Sequence, residues 1–438
     1  MSVTERSMGL GLRTLGRIAG SDLVDRLGVR RGAERVIYRA TRDGFRAASA
    51  GGRRFKATKR GDAPARLKPA SERGLFDLTP TDEQQMVQES FKAFAAEQLR
   101  PAAGAADAAA AAPPELIAQI GELGLSMLGV PEELGGAVSE RSTVTSVLAA
   151  EALAHGDMGL AVAALSPASV ASALSLWGDG DQQATYLPPL VSDDIPAAAI
   201  ALQEPRALFD PRALQTVARP DGGDYVLSGV KALVPLAAEA SLLVVAAQIA
   251  GRGTGLFLLE TAGSGVLSKP TPGMGVRAAA IGEVLLEDVR IPAGALLGGG
   301  DPEVYRECVR RARLAWCALA VGTAQAVLDY VIPYVNDRVA FGEPISHRQA
   351  VAFAISNIAI ELEAMRLVTL RAASRADAGK DFAQEVAHAR VLCAHKGAQI
   401  GSEGVQLLGG HGYVTEHPVE RFYRDLQAVG VYEGALLV

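Results

Sequence analysis

The chain has 438 residues, enough for two or three domains with sizeable cores. Nearly half of its residues are hydrophobic, yet no uninterrupted apolar run reaches the roughly 18–20 residues that span a bilayer, and a net charge of -6 gives no general case for nucleic-acid binding. The expectation is a soluble globular protein whose charge is unevenly spread: residues 1–75 carry 18 Lys and Arg against 7 Asp and Glu, so the remainder is acidic.

Residues 1–74 read as a basic extension. Leu23, Leu27, Val36, Ile37 and Phe45 recur at mostly helical spacing with arginines between them, which predicts a basic amphipathic helix. Such a helix either packs on the protein's own surface or docks on a membrane surface or a partner protein. The stretch 49–71 follows as a polar linker rich in Gly, Pro and Lys. No secretory pattern opens the chain. The extension is Arg-rich like a transit peptide, but Asp22, Asp25, Glu34 and Asp43 count against a mitochondrial address. A cytoplasmic location is expected, with peripheral membrane contact as a variant of it.

Residues 75–195 read as helical. "LTPTDEQQMVQESFKAFAAEQLRP" opens with Thr79 or Thr81 as cap, ahead of acidic and Gln residues. The Ala-rich "AAGAADAAAAAPP" predicts a helix end and loop. Further apolar-periodic runs follow through "PPELIAQIGELGLSMLGV", "TVTSVLAAEALAHGDMGLAVAAL" and "PASVASALSLWG".

The texture changes at about 196. Short apolar runs broken by Gly, Pro and Asp predict a small β domain over 196–300, with "PDGGDY" (220–225) as a turn. Long amphipathic helices occupy 301–438. Cys308, Cys317 and Cys393 have no CxxC spacing and fall in helical sequence, so they are expected to be buried thiols in a reducing compartment. The six histidines show no ligand spacing; His411 belongs to a glycine turn, and no metal site is expected.

One carboxylate stands apart. "VYEGALLV" places Glu433 between Tyr432 and Gly434. Taken alone it is either an ordinary terminal carboxylate or a catalytic base.

The order of motifs resembles the acyl-CoA dehydrogenase family over residues 77–438. "LGVPEELGG" (128–136), "EALAHGDMGLAVA" (151–163), "WGDGDQQATYLPPLVSDD" (177–194), "MGVRAAAIGEVLLEDVRIPAGALLG" (274–298), "DRVAFGEPISHRQAV" (337–351), "QLLGGHGYVTEHPVERFYRD" (406–425) and "YEG" (432–434) follow the family's sequence. The resemblance implies an α+β fold: an N-terminal helical domain, a middle small β-barrel or sandwich, and a C-terminal four-helix bundle. It implies a homo- or hetero-oligomer, a dimer of dimers, that binds FAD. It also implies removal of a hydrogen pair from the α and β carbons of an acyl-CoA thioester, with electrons passed to electron-transfer flavoprotein. In that chemistry one carboxylate takes the α-proton while hydrogen bonds stabilise the developing enolate.

By the resemblance Glu433 is the catalytic base. Some members place the base near the start of the C-terminal bundle; that position here is Ala312, and Glu307, more than a turn earlier, is expected to be solvated. Arg338 would reach the diphosphate of the FAD bound by a neighbouring subunit, for which an arginine fork is well suited. Phe341, Gln349, Gln406, Gly409 and Gly410 would line the same cofactor, the glycines allowing close backbone approach.

The middle domain departs from the family pattern. Where Thr-Glu-Pro, a small-residue turn and Asp are usual, this chain has "LQEPRALFDPRALQ" (202–215): Gln203 for the threonine, and Arg206 to Phe209 for the turn, with Glu204, Pro205 and Asp210 kept. Gln203 and Asp210 remain the candidates on that side of the cofactor. Leu233 stands for the family's tryptophan, and Pro235, which has no N–H, for its hydroxyl residue. Ala435 replaces the threonine after Glu-Gly, and the chain stops at Val438 where the family's helix continues. Residues that serve a neighbour's cofactor are kept while those that hold the chain's own flavin are eroded. Three readings follow: a self-sufficient dehydrogenase, a non-catalytic or half-site subunit of a heteromeric one, or an assembly protein of the same fold.

Overall fold

The computed structural model describes residues 64–69, 78–192, 194–434 and 436–438. The amphipathic helix expected around Leu23–Phe45 lies outside the described residues, as does Ala435.

Helix α1 (Asp82–Phe94) starts where its cap chemistry dictates. Thr81 Oγ1 accepts from the Gln84 backbone and the Gln84 side chain accepts from the Thr81 N–H, so Thr81 rather than Thr79 is the cap. A single π turn, Ala95–Leu99, leads directly into α2 (Arg100–Ala109), which stops at Ala110 in the left-handed region (φ +51°). The Ala-rich stretch is therefore helical as far as Ala109, into the expected loop, because alanine has the highest helix propensity. Helices α3 (Pro114–Glu122), α4 (Thr143–Gly156), α5 (Met158–Trp177) and α6 (Gly180–Leu190) follow.

Helix α5 is apolar on all sides and is buried almost throughout. It and the later α7 are long and apolar enough to cross a membrane, but 89% and 78% of their most apolar windows are buried inside the protein. Their hydrophobicity is used by the core.

The middle of the chain forms a sheet of seven strands: β3 (Ala198–Ala201), β4 (Val217–Asp221), β5 (Asp224–Val234), β6 (Leu242–Ile249), β7 (Gly253–Glu260), β8 (Val266–Pro270) and β9 (Gly282–Ile291). Two short strands, β1 (Lys68–Pro69) and β2 (Glu140–Arg141), precede them in the chain and pair with each other in parallel. The large sheet runs β3-β6-β4-β5-β9-β8, with β7 paired to β6. The expected turn is the β4–β5 hairpin, where Gly222 and Gly223 (φ +61° and +98°) supply the two positive-φ residues that a two-residue turn requires. Strand β5 is irregular between Lys231 and Val234, where Leu233 adopts φ +54°.

The C-terminal bundle comprises α7 (Pro302–Asp337), α8 (Gln349–Asp377), α9 (Ala383–Leu408) and α10 (Val419–Ala428). Between α7 and α8 lies a small hairpin, β10 (Val339–Ala340) with β11 (Glu343–Pro344). One hydrophobic core runs from α1, α4 and α5 through α7 into α8, α9 and α10. Cys308, Cys317 and Cys393 are all buried, the last two within this core.

The closest approach in the core is α7 on α4 at Gly322, where an added Cβ would lie 2.1 Å from the Glu151 carbonyl oxygen. Both contacting groups are helical backbone, which cannot rotate away. Gly322→Ala is accordingly expected to destabilise the protein by about 1–3 kcal/mol although alanine is the better helix former. Denaturant midpoints would show it, and an unchanged or raised midpoint would contradict this packing.

Polar residues pin the layers together. Arg421 Nε lies 2.9 Å from Asp157 Oδ2, and Asp425 accepts from the Val276 N–H at 2.6 Å, tying α10 to the start of α5 and to the loop before β9. Burial pushes both carboxyls up from their ordinary range.

The end of the expected linker is structured. Beside the β1–β2 pairing, the Ala65 N–H donates to Gln183 Oε1, and Arg66 donates to the Gly178 carbonyl. Composition alone missed this because the partners lie more than a hundred residues away.

Candidate active site

Glu433 follows α10 in an extended segment held on three sides. Its Oε2 accepts from Arg313 Nε of α7 at 2.6 Å, and its Oε1 lies 3.8 Å from Arg390 Nη2 of α9. Its backbone N–H donates to Gln203 Oε1 at 3.2 Å, while Gln203 Nε2 donates to the Val431 carbonyl at 3.2 Å. Gln203 thus brackets the segment, and it does so because it leaves β3 directly beside it. Gly434 fits only as glycine: a Cβ there would lie 2.6 Å from the Leu202 side chain.

The walls are aromatic and buried. Tyr432 packs on Trp316 with ring centroids 4.6 Å apart, and Trp316 Nε1 donates to the Gly434 carbonyl at 2.8 Å. Arg390 also donates to the carbonyls of Val429 and Tyr432. The Glu433 side chain is 17% exposed. It is therefore a fixed, largely buried carboxylate and not a fraying terminal one.

Arg313 and Arg390 were not singled out in the sequence. The available signal was spacing: Arg313 and Trp316 are three apart on α7, hence on one face, immediately after the Ala312 position that was considered. Ala312 is fully buried. Glu307 is a correction. It is only partly solvated, at 28% side-chain exposure, and accepts from Arg311 Nε at 2.8 Å and from Trp177 Nε1 at 3.4 Å, because α7 lays it against the end of α5.

A second group gathers at the opposite end of α7. Arg338 caps that helix, Phe341 tips the hairpin at φ +56° and 98% exposure, and Gln349 opens α8. Gln406, Gly409 and Gly410 lie where α9 ends. Tyr334 links the two loops, donating to the Leu408 carbonyl and contacting His411 Nδ1 at 2.8 Å. About 37 Å of helix separates Arg313 from Arg338 at about 1.5 Å per residue. The structure therefore brings six of the cofactor candidates together but keeps them away from Glu433 and Gln203 of the same chain.

Asp210 sits on the altered loop. Its carboxylate accepts from the Arg212 N–H at 2.9 Å and from Arg212 Nε at 3.2 Å, and these bonds hold it below the usual carboxylate range. Arg206 turns back on the loop, donating to the Asp210 and Ala213 carbonyls.

The two groups differ in what they offer a dinucleotide. At the bundle end Arg338 is exposed, its guanidinium has no partner among the described residues, and nothing lies within 4 Å of a Cβ built at Gly409 or Gly410. An open glycine backbone beside a free guanidinium fits a diphosphate. On the sheet side the Gln203 amide is committed to residues 431 and 433, Pro235 has no N–H, and Leu208 projects outward at 99% exposure.

Comparison with known proteins gives matches along nearly all of the described chain. Family models for the acyl-CoA dehydrogenase N-terminal, middle and C-terminal domains match residues 81–194, 199–289 and 303–436. The "Probable acyl-CoA dehydrogenase YngJ" of Bacillus subtilis (strain 168) is 35% identical over 374 residues, covering 82% of this chain and 96% of that one. The mitochondrial short-chain specific acyl-CoA dehydrogenase of Bos taurus is 35% identical over 362 residues, 80% of this chain and 86% of that one. Among solved structures, butyryl-CoA dehydrogenase from Megasphaera elsdenii superposes with a TM-score of 0.77 at 29% identity, covering 82% of this chain and 96% of that one.

Proposed function

The chain belongs to the acyl-CoA dehydrogenase family, whose members are FAD-dependent oxidoreductases, and from that premise we propose that it desaturates a short acyl-CoA thioester between its α and β carbons, with Glu433 as the base. The observation that carries this reading is the placement of Glu433. Three distant segments, at 203, 313 and 390, converge on it. Oε2 is taken by Arg313, whereas Oε1 is beyond hydrogen-bond distance of Arg390, so Oε1 is the oxygen left to meet an α-proton. Once protonated, the carboxyl stays oriented by Arg313. The Trp316 and Tyr432 rings keep water from the reacting carbon.

FAD, when bound, supplies the hydride acceptor, and electron-transfer flavoprotein is the proposed recipient of the electrons. Arg338, Gln349, Gln406, Gly409 and Gly410, with Phe341 at their edge, would hold its diphosphate end. Their distance from Glu433 favours service to the cofactor of a second copy, so the working unit is proposed to be an oligomer. A short acyl chain is favoured by the segment beyond Glu433. Leu436, Leu437 and Val438 are buried, with the Leu437 N–H on Ser169 Oγ of α5 and the Val438 carbonyl on Arg311, so packed side chains limit the depth behind the base.

The half-site reading has its own observation, the commitment of Gln203 and the proline at 235. The visible spectrum of the full chain, purified alone and titrated with FAD, separates the two. A self-sufficient enzyme shows bound oxidised flavin that bleaches on adding butyryl-CoA. In that case Arg338→Gln is expected to weaken FAD binding about tenfold to a hundredfold, the loss of charge-assisted bonds to a diphosphate. A chain that stays colourless with saturating FAD would overturn self-sufficiency in favour of a half-site subunit.

A further inference from the structure

Away from Glu433, a cavity of about 280 Å³ opens where four segments meet: residues 65–67, strand β2, the end of α5 and the first turns of α7. Arg66, Arg141, Ser175, Trp177 and Glu307 supply its polar and aromatic lining. Arg66 and Leu67 precede the first residue matched to the acyl-CoA dehydrogenase family, so this cavity is built partly from sequence outside the family's own domains.

Its polar groups are unbalanced. Ser175 is 5% exposed and its Oγ has no hydrogen-bond partner. Arg141 Nε is buried without a partner, and the Arg141 guanidinium makes no hydrogen bond or ion pair among the described residues. The nearby carboxylates do not supply what is missing. Glu307 is bonded to Arg311 and to Trp177 Nε1. Asp377 bonds the N–H groups of Thr143 and Val144 and the Ser142 hydroxyl, capping the start of α4. Glu140 alternates with Arg141 along β2 and lines a different groove. Of the three guanidiniums nearby, Arg66 has Asp179 as its acidic neighbour and Arg311 holds Glu307, which leaves Arg141 with no bonded carboxylate. Burial and the Arg311 charge hold the Arg141 guanidinium below its usual range. Leaving a buried donor unmade is costly, and native proteins do so rarely unless a ligand completes it.

We propose that this cavity binds a small oxyanion, the carboxylate or phosphate of a compact metabolite, with Arg141 as the bidentate anchor, Ser175 as a second donor and the Trp177 ring as a wall. A guanidinium fork matches either oxyanion. The volume falls just short of the 300–1,000 Å³ or so typical of drug-sized sites, which suits a compact metabolite rather than a dinucleotide.

Isothermal titration calorimetry on the full chain at low ionic strength tests this, with inorganic phosphate and succinate as separate probes. Saturable one-to-one binding of either supports the site, and which of the two binds identifies the anion. Arg141→Gln is expected to lower that affinity at least tenfold, and Ser175→Ala several-fold. The proposal is overturned if neither probe binds saturably, or if Arg141→Gln binds as tightly as the parent chain. Should Arg141→Gln not fold, Ser175→Ala decides, since it removes a single oxygen, and an unchanged affinity there overturns the site equally.

Discussion

Replacing Glu433 by glutamine is expected to leave the fold and any bound flavin in place while slowing substrate oxidation by about 10²–10⁴-fold, the usual contribution of a positioned base. The substitution keeps the side chain's size and an oxygen for Arg313 Nε, so the bracket formed by Gln203 and the Trp316–Tyr432 walls persists. What it removes is the capacity to accept a proton. A thousandfold loss corresponds to about 4 kcal/mol of barrier. The measurement is the single-turnover rate of flavin bleaching on mixing with butyryl-CoA. Glu433→Asp, one methylene shorter, should fall between the two, because a carboxylate remains but reach to the α-carbon is lost. Turnover unchanged in Glu433→Gln would exclude Glu433 as base and assign removal of the α-proton to another group. A glutamine variant that also loses its flavin spectrum would instead show that the ion pair with Arg313 organises the cofactor pocket.

The parts of this architecture that local chemistry controls were legible in the sequence. The Thr81–Gln84 capping box, the Gly222–Gly223 hairpin and the long apolar periods of α5 and α7 each rest on residues within a few positions of one another. Glu433 was found because a motif surrounds it. Its partners were not, because they depend on which face of a buried helix turns toward a loop distant in sequence, 120 residues away for Arg313. Arg313 and Arg390 look in sequence like solvated charges on amphipathic helices. Only the packing of α7 against α9 and of the 432–434 segment against β3 turns them inward. The same applies to Glu307, whose neighbours Trp177 and Arg311 come from two helices. The structured stretch at 65–69 was hidden by its linker-like composition, since its hydrogen bonds reach Gln183 and Gly178. Gln203 was singled out as a departure from the family pattern. Its role in holding both sides of Glu433 required the juxtaposition itself.

The largest stability effect is expected at Lys231, a charge that strand alternation in "GVKALV" does not mark as buried. Its side chain is fully buried on β5, with Nζ 3.1 Å from Glu204 Oε1 and 3.2 Å from the Leu202 carbonyl. Glu204 also accepts the backbone N–H groups of Gln215 and Thr216, so one carboxylate joins the exit of β3, the start of β4 and the centre of β5. Burial acts differently on the two ends. At Lys231 it outweighs the pull of Glu204 and brings the ammonium down to about 8. At Glu204 burial pushes upward, but Lys231 and the two N–H donors outweigh it and hold the carboxyl below its ordinary value. The pair is thus ionised at neutral pH. Lys231→Met strands an anion in the sheet and is expected to cost about 3–5 kcal/mol, whereas Lys231→Met with Glu204→Gln removes both charges and should recover a large part of that loss. Denaturant midpoints of the two singles and the double give the coupling, and strict additivity would show that the pair contributes nothing as a pair. The pH dependence follows with a definite sign. Because the Glu204 carboxyl is depressed on folding, its contribution is present above the ordinary carboxylate range and is lost as pH falls through the folded value. Because Lys231 is depressed from 10.5 to about 8, the unfolded chain holds that proton more firmly, so stability from this group rises as pH climbs from about 8 toward 10.5. Replacing Lys231 by methionine should abolish that alkaline rise, and its persistence in the variant would assign it to another group.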